Sequence, residues 1–287
     1  MLDRITPLII TYNEAPNIAR TLEQLRWARD IVVVDSFSDD DTLSLVAKFP
    51  QARVFQRKFD SFAGQSNFGL RETGITTEWV LGMDADYVLT PEMVTELSSL
   101  APESSVDGYR AHFTYCVNGR RLRSGIYPSV TVLFKASRAS YRDDGHAHRV
   151  VVDGAIEKLK SRILHDDRKP LGRWFASQQD YATLEAKKIV EGRDAELTLA
   201  DRIRRKRIIA PFAMLVYCLI VRGGVLDGWP GFYYAFQRML AELLLSLYLI
   251  EHDFQREFEL RIANCGFQKN TKRVSTIDRV KVAKSEQ

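Results

Sequence analysis

The sequence predicts an α/β fold, a mostly parallel, Rossmann-like sheet followed by a helical C-terminal region. Three observations lead there. Short apolar runs alternate with amphipathic segments of helical period over residues 8–88. Polar residues gather directly after those runs, at 11–14, 35–41 and 84–86. From about Leu171 to near Asn264 the pattern turns helical throughout.

The elements follow in order. Leu8-Ile9-Ile10 reads as the first strand; after Thr11-Tyr12-Asn13-Glu14, Pro16 suits a first helical turn, and Ile18, Leu22 and Leu25 recur at helical spacing. Ile31-Val32-Val33-Val34 is β-branched throughout, as a strand buried on both faces requires, and it ends at Asp35. A helix starts near Asp41 or Thr42, both good caps. Arg53-Val54-Phe55 is the third strand, a helix covers 64–72, and Trp79-Val80-Leu81-Gly82-Met83 is the fourth strand, delivering Asp84 and Asp86. Between Gly108 and Gly154 the pieces 109–117, 130–134 and 150–152 are β-rich and joined by Gly, Asn and Pro turns. The chain so divides into an α/β domain at 1–170, a helical region at 171–265 and a polar, basic, flexible tail at 266–287.

With 287 residues and 45% apolar content, there is enough chain for one large domain with a helical appendage. Cys116, Cys218 and Cys265 are far apart and lack CxxC spacing, which argues against a disulfide framework or thiolate zinc and for a reducing cytoplasm. Met1-Leu2-Asp3-Arg4 runs straight into a strand, so no secretory leader is expected. The net charge of +4 is mild, but Arg and Lys concentrate at 202–207.

Asp84-Ala85-Asp86 is the most chemical feature. Side chains alternate along a strand, so carboxylates at i and i+2 point the same way and can share one hard cation. Asp35 could accept from a nucleobase or ribose hydroxyl, or simply cap the turn that follows it. Neither GxGxxG nor GxxxxGK[ST] occurs, which disfavours dinucleotide oxidoreductases and P-loop enzymes. Phosphates would then need another counter-charge, and a divalent ion on Asp84 or Asp86 supplies one.

Taken together, Thr11-Tyr12-Asn13-Glu14, Val33-Val34-Asp35-Ser36 with Ser38, Asp39 and Thr42, Phe62 with Gln65 and Asn67-Phe68, and Trp79-Val80-Leu81 before Asp84-Ala85-Asp86 resemble an inverting family 2 glycosyltransferase. The likeness is to the branch that builds lipopolysaccharide core, of the β-1,4-glucosyltransferase type. It continues through Asn118-Gly119-Arg120, Leu133-Phe134 and His148 to Leu226-Asp227-Gly228 and Gly231-Phe232. The resemblance implies a GT-A fold and a nucleotide-sugar site formed by Thr11, Tyr12, Asn13, Glu14, Asp35, Ser36, Gln65, Asn67 and Asp84. It also implies Mg²⁺ or Mn²⁺ bound by Asp86, Asp84 and His165, with UDP-glucose the favoured donor. The base position of the family falls in Asp143-Asp144-Gly145-His146-Ala147-His148-Arg149. Relatives carry His-Glu where this chain has His148-Arg149. Asp144, Asp143 and His148 are therefore the catalytic candidates, while Arg149 stays protonated and would pair with a phosphate.

Two C-terminal apolar stretches bear on partners. The uncharged run 208–221 is too short to span a bilayer comfortably, and 232–250 is interrupted by Arg238 and Glu242, which could face each other four residues apart. Both read as interfacial helices, with the basic residues of 202–207 meeting anionic head groups of the inner membrane's cytoplasmic leaflet. A buried helical pair with a charged collar is the other reading. A glycolipid acceptor fits the membrane reading, nucleic acid does not, and a homo-oligomer is compatible. The rival from another class is a membrane-docked pseudoenzyme that binds a nucleotide sugar or a partner without turnover.

Overall fold

The computed structural model describes residues 1–101, 105–144, 147–192 and 197–282, with the backbone alone for Asp144, Ala147, His148 and 263–282. Its first half is a run of β-α units: β1 (Ile5–Thr11), α1 (Ile18–Glu23), β2 (Ile31–Asp35), α2 (Thr42–Val46), β3 (Ala52–Gln56), α3 (Phe62–Glu72) and β4 (Trp79–Asp84). Short β5 (Tyr87–Leu89) and α4 (Pro91–Ser99) follow. Then come β6 (Val106–Val117), β7 (Arg120–Arg121), β8 (Val130–Lys135), β9 (Ala139–Asp144), β10 (Ala147–Val152) and β11 (Ala155–His165).

Along the main sheet the order is β3-β2-β1-β4-β8-β6-β11-β5. β1 to β4 pair in parallel, as their alternation with helices requires. β8 enters antiparallel between β4 and β6, and β5 is antiparallel to β11, so the second half is mixed. Period-two alternation sorts the core. Ile9, Val33 and Leu81 face α1 and α4 with Leu22, Met93 and Leu97, whereas Leu8, Val34 and Val80 face α3 and the β9–β10 hairpin with Leu70, Phe134 and Tyr141.

Helices dominate the C-terminal region: α5 (Leu171–Glu191), α6 (Leu199–Arg204), α7 (Ile209–Val216) and α8 (Trp229–Val282). α6 opens on a capping box of Thr198 and Asp201. α7 runs on as a π-helical turn at Tyr217–Val221 and a 3₁₀ turn at Gly224–Asp227 before α8 returns. The crossing is close: a Cβ on Gly231 would lie 2.0 Å from the Gly224 carbonyl oxygen. α8 packs on α5 through Ala182, Ala186, Ile189, Leu245 and Leu249. It continues through the stretch that the sequence marks as a tail, ending at Val282; no proline follows Pro230, and extending a nucleated helix is easy.

The charges near 202–207 differ from expectation. Arg238 and Glu242 do not pair. Glu242 instead accepts from Arg204 Nη2 at 2.6 Å and Nε at 2.9 Å, with Asp201 also on Arg204 at 3.2 Å. Arg205 donates to the carbonyls of Ile189 and Gly192, and Arg207 holds Asp253 through two nitrogens. A buried carboxylate at Glu242 requires a cation, and Arg204 turns inward to provide it. The apolar faces remain exposed, among them Phe212, Ile220, Leu226 and Trp229. Among the described residues no helix is long and apolar enough to cross a membrane.

Candidate active site

The register of the parallel strands builds the site. Thr11 lies opposite Asp35 and Ile10 opposite Asp84, so the carboxyl ends of β1, β2 and β4 finish on one edge, where open α/β sheets bind ligands. Asp35 is fully buried and takes the Thr11 hydroxyl at 3.0 Å, the Ser38 amide at 2.9 Å and the Ser38 hydroxyl at 2.5 Å. Two left-handed residues, Asn13 (φ 55°) and Phe37 (φ 60°), shape the loops that meet here. The Asn13 amide donates to Ser38 Oγ at 2.8 Å, and Asp39 N donates to Asn13 Oδ1 at 2.9 Å. Gln65 reaches across from α3 to Ser36 Oγ at 2.7 Å and is itself held by Arg57 at 2.9 Å. Tyr12 projects, half exposed, beneath the Arg173 guanidinium at 5.7 Å.

A second layer of charge comes from the segment after β11. Lys169 Nζ lies 2.6 Å from Glu14, which Asn17 also holds at 2.8 Å. Burial pushes the Glu14 carboxyl up to about 7 even though Lys169 pulls it down. Buried Asp166 accepts from Arg20 at 2.7 Å, Arg168 at 2.9 Å and the Gly119 amide at 2.9 Å. Thr21 Oγ1 donates to the Ala85 carbonyl at 2.6 Å, which fixes the turn carrying Asp86.

Asp86 and His165 meet because β5 pairs with β11, placing His165 opposite Tyr87. His165 Nε2 and Asp86 Oδ2 are 3.0 Å apart. Burial disfavours both charges, yet each partner overrides it: the Asp86 carboxyl lies below its usual range and the His165 ring above its own. Three tyrosines box the imidazole, with ring centroids at 4.3 Å for Tyr127, 4.9 Å for Tyr115 and 5.5 Å for Tyr87. Asp86 Oδ1 is buried with no hydrogen-bond partner among the described residues. Asp84 stands half-buried at the end of β4.

Among the described residues, no three His, Cys, Asp or Glu side chains converge to hold an ion by themselves. The open acceptor on Asp86 nevertheless fits a hard divalent ion, because Mg²⁺-type sites take one or two carboxylates and fill the rest with phosphate and water.

Two expected residues stand apart from this cluster. Asn67 gives both ends of its amide to the Tyr141 backbone, at 2.9 and 2.8 Å, and so fastens α3 to β9. Arg149 is exposed on β10, opposite Arg142. Asp143 is exposed and accepts the Ala63 amide at 3.0 Å, at the start of α3. The side chains of Asp144 and His148 lie outside the described residues; their backbones pair within the β9–β10 hairpin. Asn17, Arg20 and Lys169 join the site without a sequence signal beyond the charge-dense Asp166-Asp167-Arg168-Lys169.

Residues 7–155 match the sequence profile described as Glycosyl transferase family 2. An uncharacterized glycosyltransferase of Rickettsia conorii is 32% identical over 113 residues, and the match spans only 39% of this chain and 39% of that protein. The lipopolysaccharide core biosynthesis glycosyltransferase LpsC of Rhizobium meliloti is 25% identical over 203 residues, 65% of this chain and 72% of its own. Mannosyltransferase PcManGT from Pyrobaculum calidifontis, solved in complex with GDP-Man and Mn²⁺, superposes over 87% of this chain and 88% of its own. Its TM-score is 0.51 at 17% identity, a likeness of fold. The sheet with its covering helices is accordingly a GT-A fold.

Proposed function

The chain belongs to glycosyl transferase family 2, and we propose that it moves a hexose from a nucleotide-sugar donor to a hydroxyl of a membrane-associated glycolipid, with inversion at the anomeric carbon. The observation that carries the reading is the shared strand edge, which lines up Asp35, Asp84 and the open Asp86 Oδ1. UDP-glucose is the donor of choice, and lipopolysaccharide core or a lipid-linked glycan the acceptor; the relative named for lipopolysaccharide core biosynthesis supports that class.

In this reading Thr11, Tyr12, Asn13, Glu14, Asp35, Ser36 and Gln65 hold the nucleoside, since Asp35 is a buried acceptor fixed by three donors. Asp86 and Asp84, with His165 beside them, would hold Mg²⁺ or Mn²⁺, whose chemistry is to take up the charge developing on the departing diphosphate. Lys169 adds a fixed positive charge on the same side. Asp144, or Asp143 next to it, takes the proton from the acceptor hydroxyl as it attacks the anomeric carbon opposite the leaving group. The exposed apolar hairpin of α7 and α8 rests on the cytoplasmic leaflet of the inner membrane, making the protein peripheral.

The test is donor turnover with and without Mn²⁺ for wild type, Asp86→Ala and Asp144→Ala. Wild type should require Mn²⁺ and Asp86→Ala should lose turnover by at least about a hundredfold; equal activity in all arms sinks the proposal. Arg149, at the position where the family resemblance implies a Glu, motivates a second reading as a nucleotide-sugar-binding pseudoenzyme. Tight nucleotide binding by wild type without turnover of any acceptor would favour it.

A further inference from the structure

The loop between β7 and β8 is tied to the C-terminal hairpin at three points. Asp227 accepts the Arg123 amide at 3.0 Å, the Ser124 amide at 2.9 Å and the Ser124 hydroxyl at 2.7 Å. The Tyr234 hydroxyl accepts the Ile126 amide at 3.2 Å, and Arg222 donates to the Gly125 carbonyl at 3.0 Å. Leu122 is buried against Cys218, Tyr234 and Ala235, which seats the loop on α8.

The same loop ends in the active site. Tyr127 shares a hydrogen bond with Tyr87 at 2.6 Å and packs on Phe113 at 5.0 Å. Its ring stands edge-to-face on His165, which holds Asp86. Asp227 itself sits between Leu226, 76% exposed, and Trp229, 84% exposed, at the apolar tip of the hairpin.

We propose that Asp227 is a positioning residue: it fixes the 122–127 loop to the hairpin and thereby holds Tyr127 against the His165–Asp86 pair. A carboxylate that accepts two backbone amides and a hydroxyl is a strong, directional anchor, and no other side-chain type of that length accepts three donors at once. On the side of the loop before Tyr127 the strand is short, since β7 has only two residues, and Asp227 alone supplies three of the loop's bonds to the hairpin. The functional half of the proposal rests on the transferase reading above, whereas the tie itself does not.

The test compares wild type with Asp227→Ala, Asp227→Asn and Tyr127→Phe by amide hydrogen exchange, UDP affinity and turnover of UDP-glucose. In Asp227→Ala the Arg123 and Ser124 amides should exchange at least about tenfold faster while β1, β2 and β4 keep wild-type rates, because the opening is local. Turnover should fall about tenfold or more with UDP affinity within about twofold, the size of effect seen when a supporting contact is lost. Asp227→Asn, which keeps one acceptor oxygen, should fall between. Tyr127→Phe should reproduce the fall in turnover without loosening Arg123 or Ser124. If Asp227→Ala destabilises β1, β2 and β4 as well, Asp227→Asn decides: unchanged loop exchange in that variant overturns the tie. A loosened loop with unaltered turnover in Asp227→Ala overturns the link to the site. Should wild type show no turnover at all, the transferase reading fails, and loop exchange in Asp227→Ala still upholds or overturns the tie.

Discussion

Glu14 has an amine 2.6 Å away and still titrates near neutrality, because its burial outweighs the attraction of Lys169. With the carboxyl raised from 4.5 to about 7, the native state keeps a proton that the unfolded chain has already lost. Stability from this group is thus greatest below the unfolded value and declines as pH rises to about 7. Glu14→Gln should lack that decline, so the wild-type melting temperature minus that of the variant should fall from about pH 5 to about pH 8; a constant difference would contradict it. At this scale the sequence is a good guide to residue type and a poor one to direction. Asp35, Asp84 and Asp86 are legible because each follows an apolar strand. Asn67 is not, since whether its amide meets a ligand or the Tyr141 backbone depends on how β9 packs on α3. Lys169 and Glu14 are 155 residues apart, a pairing that no local pattern encodes.

Elements with strong periodicity are read correctly from sequence. β2 is β-branched and wholly buried, and the parallel order of β1 to β4 follows from the helices between them. β11 is harder, because six of its first eight residues are exposed, apolar Ile156 among them, so neither face shows a clean alternation. The basic run at 202–207 is misleading for another reason. Charge beside an apolar segment suggests head groups, yet Arg204, Arg205 and Arg207 serve the protein's own carboxylates and carbonyls. Removing one partner of such a buried pair leaves an uncompensated charge. Glu242→Ala should therefore cost about 3–5 kcal/mol in chemical denaturation, and replacing Arg204 and Glu242 together by Met and Leu should recover much of it. A loss below about 1 kcal/mol would place the pair in effective contact with water.

For the whole molecule, a GT-A sheet and an apolar helical hairpin share one chain, and each suits a different half of the proposed reaction. In that proposal the donor, a soluble anion, would meet the strand edge, and a lipid acceptor would meet the hairpin. Trp229→Ser with Leu226→Ser should weaken binding to anionic vesicles by at least about tenfold in sedimentation, since each side chain is worth more than 1 kcal/mol when buried in an apolar phase. Unaltered binding would contradict the proposed membrane role of the hairpin. The central claim is that the edge formed by Asp35, Asp84 and Asp86 holds a nucleoside diphosphate through a divalent ion. A crystal structure with UDP and Mn²⁺ tests it most directly. It should show the uridine beside Asp35 and Mn²⁺ bridging the diphosphate to Asp86 at about 2.0–2.6 Å; a nucleotide bound away from this edge, or bound here with no ion on Asp86, would contradict it.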